Sequence, residues 1–340
     1  MKSYTSKRSP SKRVVCIGGG TGTFVTLRGL KQYPLDLSAI VTMSDSGGSN
    51  RRLRDEFGLL PTSDLRQCLV ALCDENGGVG LLRKLFMYRF EKGQGIAGMT
   101  FGNLFMAALT DILGSQDEAI RQTGKVLRIK GAVIPVTLSD TNLFATYEDG
   151  TTVAEEHLID EPAHDGTLKI TKAYLSPEAI PNPEALKAIG KADLIVIGPG
   201  DLYTSILPNL LVPGIAQALQ ETKAKIVYVC NLMTKWGQTY NFTASDHVRV
   251  LEETIGAIID SVVVNTSTLP DEALAIYAKN HEIPVENDLD SAKYEVIKAA
   301  LVTPTVYTKS SSDTLVRSLI RHDSEKLAEV LFGMMGRSEV

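Results

Sequence analysis

Cysteine and histidine are sparse, and each shortage removes a class of chemistry. The four cysteines, Cys16, Cys68, Cys73 and Cys230, lie mostly in apolar runs and never at Cys-x-x-Cys spacing, so they read as reduced core thiols, not a zinc or redox centre. The five histidines, His157, His164, His247, His281 and His322, make no ligand pair at helix or strand spacing, and no dedicated metal site is expected. No Gly-x-Ser-x-Gly elbow or Cys/His pairing announces a covalent nucleophile. Uninterrupted apolar runs fall short of the roughly 20 residues of a membrane span. The opening MKSYTSKRSPSKR also lacks the apolar segment of a signal peptide. These two absences predict a cytoplasmic protein without membrane insertion. Positive charge is short as well: a formal charge of -5 leaves no large nucleic-acid-binding surface, so any anion site must be local.

What is present is an ordinary globular composition, 44% apolar and 22% charged over 340 residues, enough to bury a sizeable core. Residues 1–12, with Lys2, Lys7, Arg8 and Lys12 among serines, predict a flexible basic tail. From residue 13 to about 336 the pattern predicts one α/β domain. RVVCIG is a strand buried on both faces; it runs into GGGTGT, a helix from about Phe24 to Lys31, the strand LSAIVTM and the polar loop SDSGGSNRRLRDEFG. DLRQCLVALC, VGLLRKLFMYRF and FGNLFMAALTDIL have helical spacing. Between about 130 and 176, GAVIPVT, NLFATYEDGTTV and LKITKAYL carry strand composition and Asp-Gly turns, an antiparallel excursion. Strand and helix then alternate again: ADLIVIGPG, a helix over Ser205 to Thr222, KIVYVCN, a helix near Asp246 to Ala257, and SVVVN. The fold class predicted is a Rossmann-like, doubly wound, mainly parallel sheet with helices on both faces.

In such a sheet ligands bind where loops leave the C-terminal ends of the strands. Five unusual loops follow predicted strands here. In the first, Gly18, Gly19, Gly20, Thr21, Gly22 and Thr23 let the backbone turn sharply and point amides and a helix N-terminus at negative charge. No Walker lysine follows, and Thr23 stands where the dinucleotide fingerprint has its third glycine. In the second, Asp45, Ser46, Gly47 and Gly48 follow the second strand. Asp45 suits a ribose hydroxyl, a hydroxyl nucleophile, a metal ion or a turn cap. Asn50, Arg51 and Arg52 come next; their guanidinium forks suit phosphate, although a solvated helix paired with Asp55 and Glu56 explains the same charges. PTSDLRQ brings Asp64 and Arg66 into a helix start, and Asn103 in FGNLF opens another. The third loop, Gly198, Pro199, Gly200, Asp201, Tyr203, Thr204 and Ser205, offers a further anion or sugar site. Asn231, Thr234 and Lys235 repeat the logic in the fourth, and Asn265 ends the strand before the fifth.

The ordered set GGGTGT, MSDSGGSNRRLRDEFG, PTSDLRQ, FGNL, IGPGDLYTSILPNLLV, YVCNLMTKWGQT and RHD resembles the gluconeogenesis factor (YvcK-like) family, a member of the CofD-like superfamily with the 2-phospholactate transferases. The match runs from about Arg13 to near the C-terminus. The resemblance implies binding of a nucleotide sugar such as UDP-N-acetylglucosamine and a role in growth and morphogenesis on gluconeogenic carbon sources; the loops themselves suit a nucleotide sugar or a dinucleotide. It further implies Arg321 in RHD as a ligand contact; beside a nucleotide-type small molecule, the partners expected are a regulatory protein and a second copy of the chain. From the transferase relatives it implies Mg²⁺ and a catalytic Asp45 should the chain be a transferase. Trp236 and Gln238 stand where the family commonly has Pro and Glu, so no carboxylate role carries over to Gln238. An NAD-dependent oxidoreductase has only the fold behind it.

Overall fold

The computed structural model describes residues 11–74, 78–290, 293–303 and 318–336; the basic tail expected over residues 1–12 lies almost wholly outside them. The strands are β1 (Arg13–Gly18), β2 (Asp36–Val41), β3 (Ala132–Pro135), β4 (Asn142–Tyr147), β5 (Thr152–Ala154), β6 (Ile170–Ser176), β7 (Leu194–Ile197), β8 (Lys225–Val229), β9 (Ser261–Asn265) and β10 (Glu295–Ala299). Seven of them form one sheet in the order β10-β9-β8-β7-β1-β2-β3, every neighbour parallel. The remaining three form the small antiparallel sheet β5-β4-β6. The fold is therefore the Rossmann-like, doubly wound α/β arrangement with an antiparallel excursion. GAVIPVT is not part of that excursion: Ala132–Pro135 pairs in parallel with β2 at the edge of the main sheet. Four apolar residues hold too little period to distinguish the two placements.

The alternation along β1 shows why the strands read as continuous apolar runs. Val15 and Ile17 face one core with Ile195, Ile197, Leu143 and Tyr147, while Val14 and Cys16 face another with Leu27, Leu30, Leu327 and Leu331. Both faces are dry, as helices on either side of a parallel sheet require. All four cysteines are buried thiols without disulfides. No single helix among the described residues is long and apolar enough to cross a membrane.

On the N-terminal side of the chain the helices are α1 (Gly20–Leu30), α2 (Gly48–Phe57), α3 (Ser63–Leu72), α4 (Gly78–Met87), α5 (Phe101–Leu113), α6 (Gln116–Val126) and the short α7 (Glu156–Asp160). Two differ from expectation. The segment read as a polar loop after β2 is mostly α2, whose buried residues are just Asn50 and Leu53, so it shows no apolar stripe to detect. The single helix expected over 205–222 is broken: a wide turn over Leu202–Ile206 and a short helix Leu207–Leu210 precede Ile215–Glu221. Pro213 and Gly214, with Gly214 left-handed, interrupt it.

Candidate functional site

The chain winds from β1 outward to β2 and β3, then returns to β7 beside β1 and winds the other way through β8 to β10. The order thus reverses between β1 and β7, and the loops after those two strands part to leave a crevice. GGGTGT and GPGDLYTS flank it. They approach so closely that a Cβ on Gly22 would lie 2.5 Å from the Pro199 carbonyl carbon and 3.1 Å from Gly200 N. Glycine at position 22 is the condition for the two loops to touch. The crevice opens into a cavity of about 480 Å³, within the range that holds a nucleotide-sized ligand.

One wall is built for negative charge. Gly19, Gly20, Thr21 and Gly22 present the first turn of α1, with Ser63 and Arg66 of α3 and Arg89 beside them. The Asp64 carboxylate lies against Gly19 and Gly20, a favourable place for an acid at a helix N-terminus. Thr23 faces inward and donates to the Gly19 carbonyl at 3.2 Å, closing the turn and not the ligand space. Arg66 is almost fully buried; its Nε donates to Asn103 Oδ1 at 2.9 Å.

The opposite wall is acidic. Asp45 sits after β2, its Oδ1 accepting from Gly47 N at 2.9 Å and its Oδ2 from Asn50 Nδ2 at 2.6 Å. Burial, with Asp160 adding repulsion, pushes its carboxyl up to about 6. Glu156 is raised well above its ordinary value, by burial first and then by Asp45, Asp160 and Asp64. Asp201 is raised by burial against the pull of Lys235, and burial lifts Glu282 to about 7. Lys235 is the cation among them, 3.5 Å from Asp160. Burial alone would lower its ammonium, but Asp160, Asp201 and Glu282 together hold it above its ordinary value. Buried His322 is pushed down to about 4 and is therefore neutral. Mg²⁺, implied by the transferase resemblance, is commonly held by one or two carboxylates together with substrate phosphates, and in this cleft Asp45 and Glu156 would be those carboxylates. Among the described residues no three His, Cys, Asp or Glu side chains converge as metal ligands. Both Asp45 oxygens are engaged, and Glu156 Oε2 accepts from Ser46 N at 3.3 Å.

Of the residues singled out in the sequence, Gly19, Gly20, Thr21, Gly22, Asp45, Gly47, Asp64, Arg66, Pro199, Gly200, Asp201, Thr204, Ser205, Asn231, Thr234, Lys235 and Arg321 line this cleft. The others stand apart from it. Gly18 ends β1, and its carbonyl accepts from Asn209 Nδ2. Ser46 is buried against His157, 3.1 Å from its Nδ1. Gly48 begins α2 and is exposed. Arg51 is an exposed partner of Asp55, and Arg52 donates to the Ala97 and Gly95 carbonyls, so neither fork reaches the cleft. Gly198 is where the chain turns out of β7, and Tyr203 packs into the apolar core. Asn265 shapes its own loop, accepting from Ser267 N and Leu301 N, and borders a separate cavity of about 120 Å³. Asn50 and Asn103 are buried beneath the site.

The acidic wall was largely invisible in the sequence. Glu156, His157 and Asp160 come from α7 and Glu161 from just beyond it, directly after β5 of the small sheet. Their signal is the acid-rich run EEHLIDE directly after a hairpin. Tyr277, Asn280 and Glu282, at the end of the helix Asp271–Lys279 and beyond, complete the rim with Arg89 and His322. The two departures also find places. Gln238 donates to Asp160 Oδ1 at 3.0 Å, and Trp236 packs on Gly166 and lies 4.5 Å from the His281 ring.

Comparison with known proteins agrees with this architecture. The 2-phospho-L-lactate transferase CofD family model matches residues 14–302. The gluconeogenesis factor of Bacillus subtilis is 41% identical over 328 residues, covering 95% of this chain and 98% of its own. That of Listeria monocytogenes is 38% identical, covering 97% of each. A crystal structure of a Bacillus halodurans protein superposes with a TM-score of 0.85 at 40% identity, over 95% of this chain and 99% of that one. With the match extending through every strand of the main sheet, the chain belongs to the CofD family and is a close relative of its gluconeogenesis factors.

Proposed function

We propose that the cleft binds a nucleotide sugar of the UDP-N-acetylglucosamine type, and that the chain is a cytoplasmic regulator of growth and cell shape on gluconeogenic carbon sources. The observation that carries the reading is the polarity of one cavity. The first turn of α1, Arg66 and Arg89 on one side suit phosphate oxygens, and the carboxylates of Asp45, Asp160 and Asp201 on the other suit sugar hydroxyls. The relatives' name, gluconeogenesis factor, supports the link to gluconeogenic growth. Isothermal calorimetry with UDP-N-acetylglucosamine tests the ligand: a saturable one-site heat is expected. No heat at millimolar ligand, with the protein folded by circular dichroism, refutes it.

A second reading, a transferase moving a phosphate-linked group from a nucleotide donor to a hydroxyl acceptor, is favoured by the raised Asp45. At pH 7 that carboxylate is ionised yet more basic than an ordinary one, as a general base should be. It would take the acceptor hydroxyl's proton while the oxygen attacks phosphorus and the nucleotide fragment leaves. Arg66, not Arg51 or Arg52, would carry the charge. Under this reading Asp45→Asn abolishes turnover and keeps nucleotide binding; loss of both, or of neither, rejects it.

A further inference from the structure

No residue of the motif FGNL lines the cleft, yet Gly102 and Asn103 pack against Arg66, which does. Their packing explains them differently. A Cβ on Gly102 would lie 2.7 Å from Arg66 Cδ and 2.8 Å from the Phe86 carbonyl, so glycine there lets the arginine stem lie flat against α5. Asn103, fully buried, then meets the head group: Oδ1 accepts from Arg66 Nε at 2.9 Å, and Nδ2 donates to Ser49 Oγ at 3.0 Å and Ser63 Oγ at 3.2 Å. The amide orientation is fixed by chemistry, because Arg66 can only donate. Both amide hydrogens and the carbonyl are used, leaving nothing for a ligand.

Asn50 is built the same way. Its Nδ2 donates to Asp45 Oδ2, and its Oδ1 accepts from Thr62 N at 3.1 Å, Ser63 N at 3.2 Å and Ser63 Oγ at 2.9 Å. The start of α3 is thus capped from α2, since Thr62 makes no side-chain cap of its own. Ser63 is the shared member: its hydroxyl donates to Asn50 and accepts from Asn103. The chain of bonds Asp45–Asn50–Ser63–Asn103–Arg66 joins the acidic wall of the cleft to its cationic one, passing beneath the surface at Asn50 and Asn103 and reaching it at Ser63.

We propose that the buried Asn103 and Asn50 are positioning residues, forming a relay through Ser63 that holds the Arg66 guanidinium toward an anionic ligand group and the Asp45 carboxylate across from it. The idea rests on the anion-binding half of the proposed function. It predicts that the effect of Asn103 on the affinity for an anionic group runs through Arg66.

A double-mutant cycle tests this, with inorganic pyrophosphate and UDP-N-acetylglucosamine titrated separately by calorimetry into the full chain. Asn103→Ala is expected to weaken pyrophosphate binding about tenfold, the worth of one charge-assisted hydrogen bond. In the Arg66→Ala background the same change is expected to do nothing further. Asn103→Leu keeps the volume and removes the amide, with a loss that Arg66→Ala also cancels; it serves if Asn103→Ala does not fold. Losses that add in the Arg66→Ala background overturn the relay, since a merely structural asparagine would cost affinity with or without the arginine. Wild-type protein that binds pyrophosphate and not the sugar nucleotide overturns the ligand assignment alone. Wild-type protein that binds neither overturns both.

Discussion

A methyl group at position 22 would be driven into the backbone of the loop after β7. Its carbon would sit 2.5 Å from the Pro199 carbonyl carbon, about 1 Å inside the ~3.5 Å at which carbon atoms rest. The obstacle is main chain at the end of a buried strand, which cannot rotate away as a flexible side chain could. Gly22→Ala must therefore separate the two loops that flank the crevice. Overpacking of this kind costs about 1–3 kcal/mol, a fall of a few degrees in Tm for a chain of this size. The same displacement moves the first turn of α1, so affinity for a phosphate-bearing ligand should fall at least about tenfold, roughly 1.4 kcal/mol. Gly190→Ala is the matched control. It lies in the helix Pro183–Lys191 with nothing within 4 Å of its would-be Cβ, and should be neutral or stabilising by about 0.5–1 kcal/mol. Thermal melts and calorimetry on both variants decide the matter. A Gly22→Ala protein as stable and as tight-binding as the parent would refute the contact between the loops.

Three further outcomes follow from the site. Asp45 titrates near 6 in the folded chain, above its ordinary 3.8, so the folded state holds the extra proton between those values. Stability contributed by that proton is full below about pH 4 and falls away as pH rises through 6, by up to about 3 kcal/mol; Asp45→Asn should match the parent at pH 4 and exceed it at pH 7 in urea melts. Lys235→Met leaves Asp160, Asp201 and Glu282 without their shared cation, and should cost about 3 kcal/mol at pH 7 in the same assay, with less lost at pH 5 where Glu282 is protonated. Arg51→Ala, at an exposed pair with Asp55, should leave nucleotide affinity within about twofold, as surface pairs are worth little, whereas Arg66→Ala should lower it more than tenfold.

The strands were readable because burial on both faces leaves a continuous apolar run, as in RVVCIG and SVVVN. The loops were readable because glycine, proline and hydroxyl residues cluster where a strand ends, and four of them line the one cleft. What escaped has a common cause, since it depends on contacts distant in sequence. α2 buries just Asn50 and Leu53, and its polar surface hides it. Asp45 meets Glu156 and Asp160 more than a hundred positions away, through the small sheet. Asn50, Asn103 and Tyr203 have the residue types of ligand contacts, yet burial commits the first two to other side chains and the third to the core. Arg51 and Arg52 sit on the right segment with the wrong helical phase, turned toward Asp55 and the 95–97 backbone. A residue list from motifs locates the loops; it does not give the direction of each side chain.

A crystal structure of the chain grown with UDP-N-acetylglucosamine tests the central claim most directly. The account predicts the diphosphate at the first turn of α1, within hydrogen-bond reach of the Gly22 amide and the Arg66 guanidinium, and sugar hydroxyls donating to the carboxylates opposite. Ligand density anywhere other than between the loops after β1 and β7, with that crevice holding only water, would contradict it.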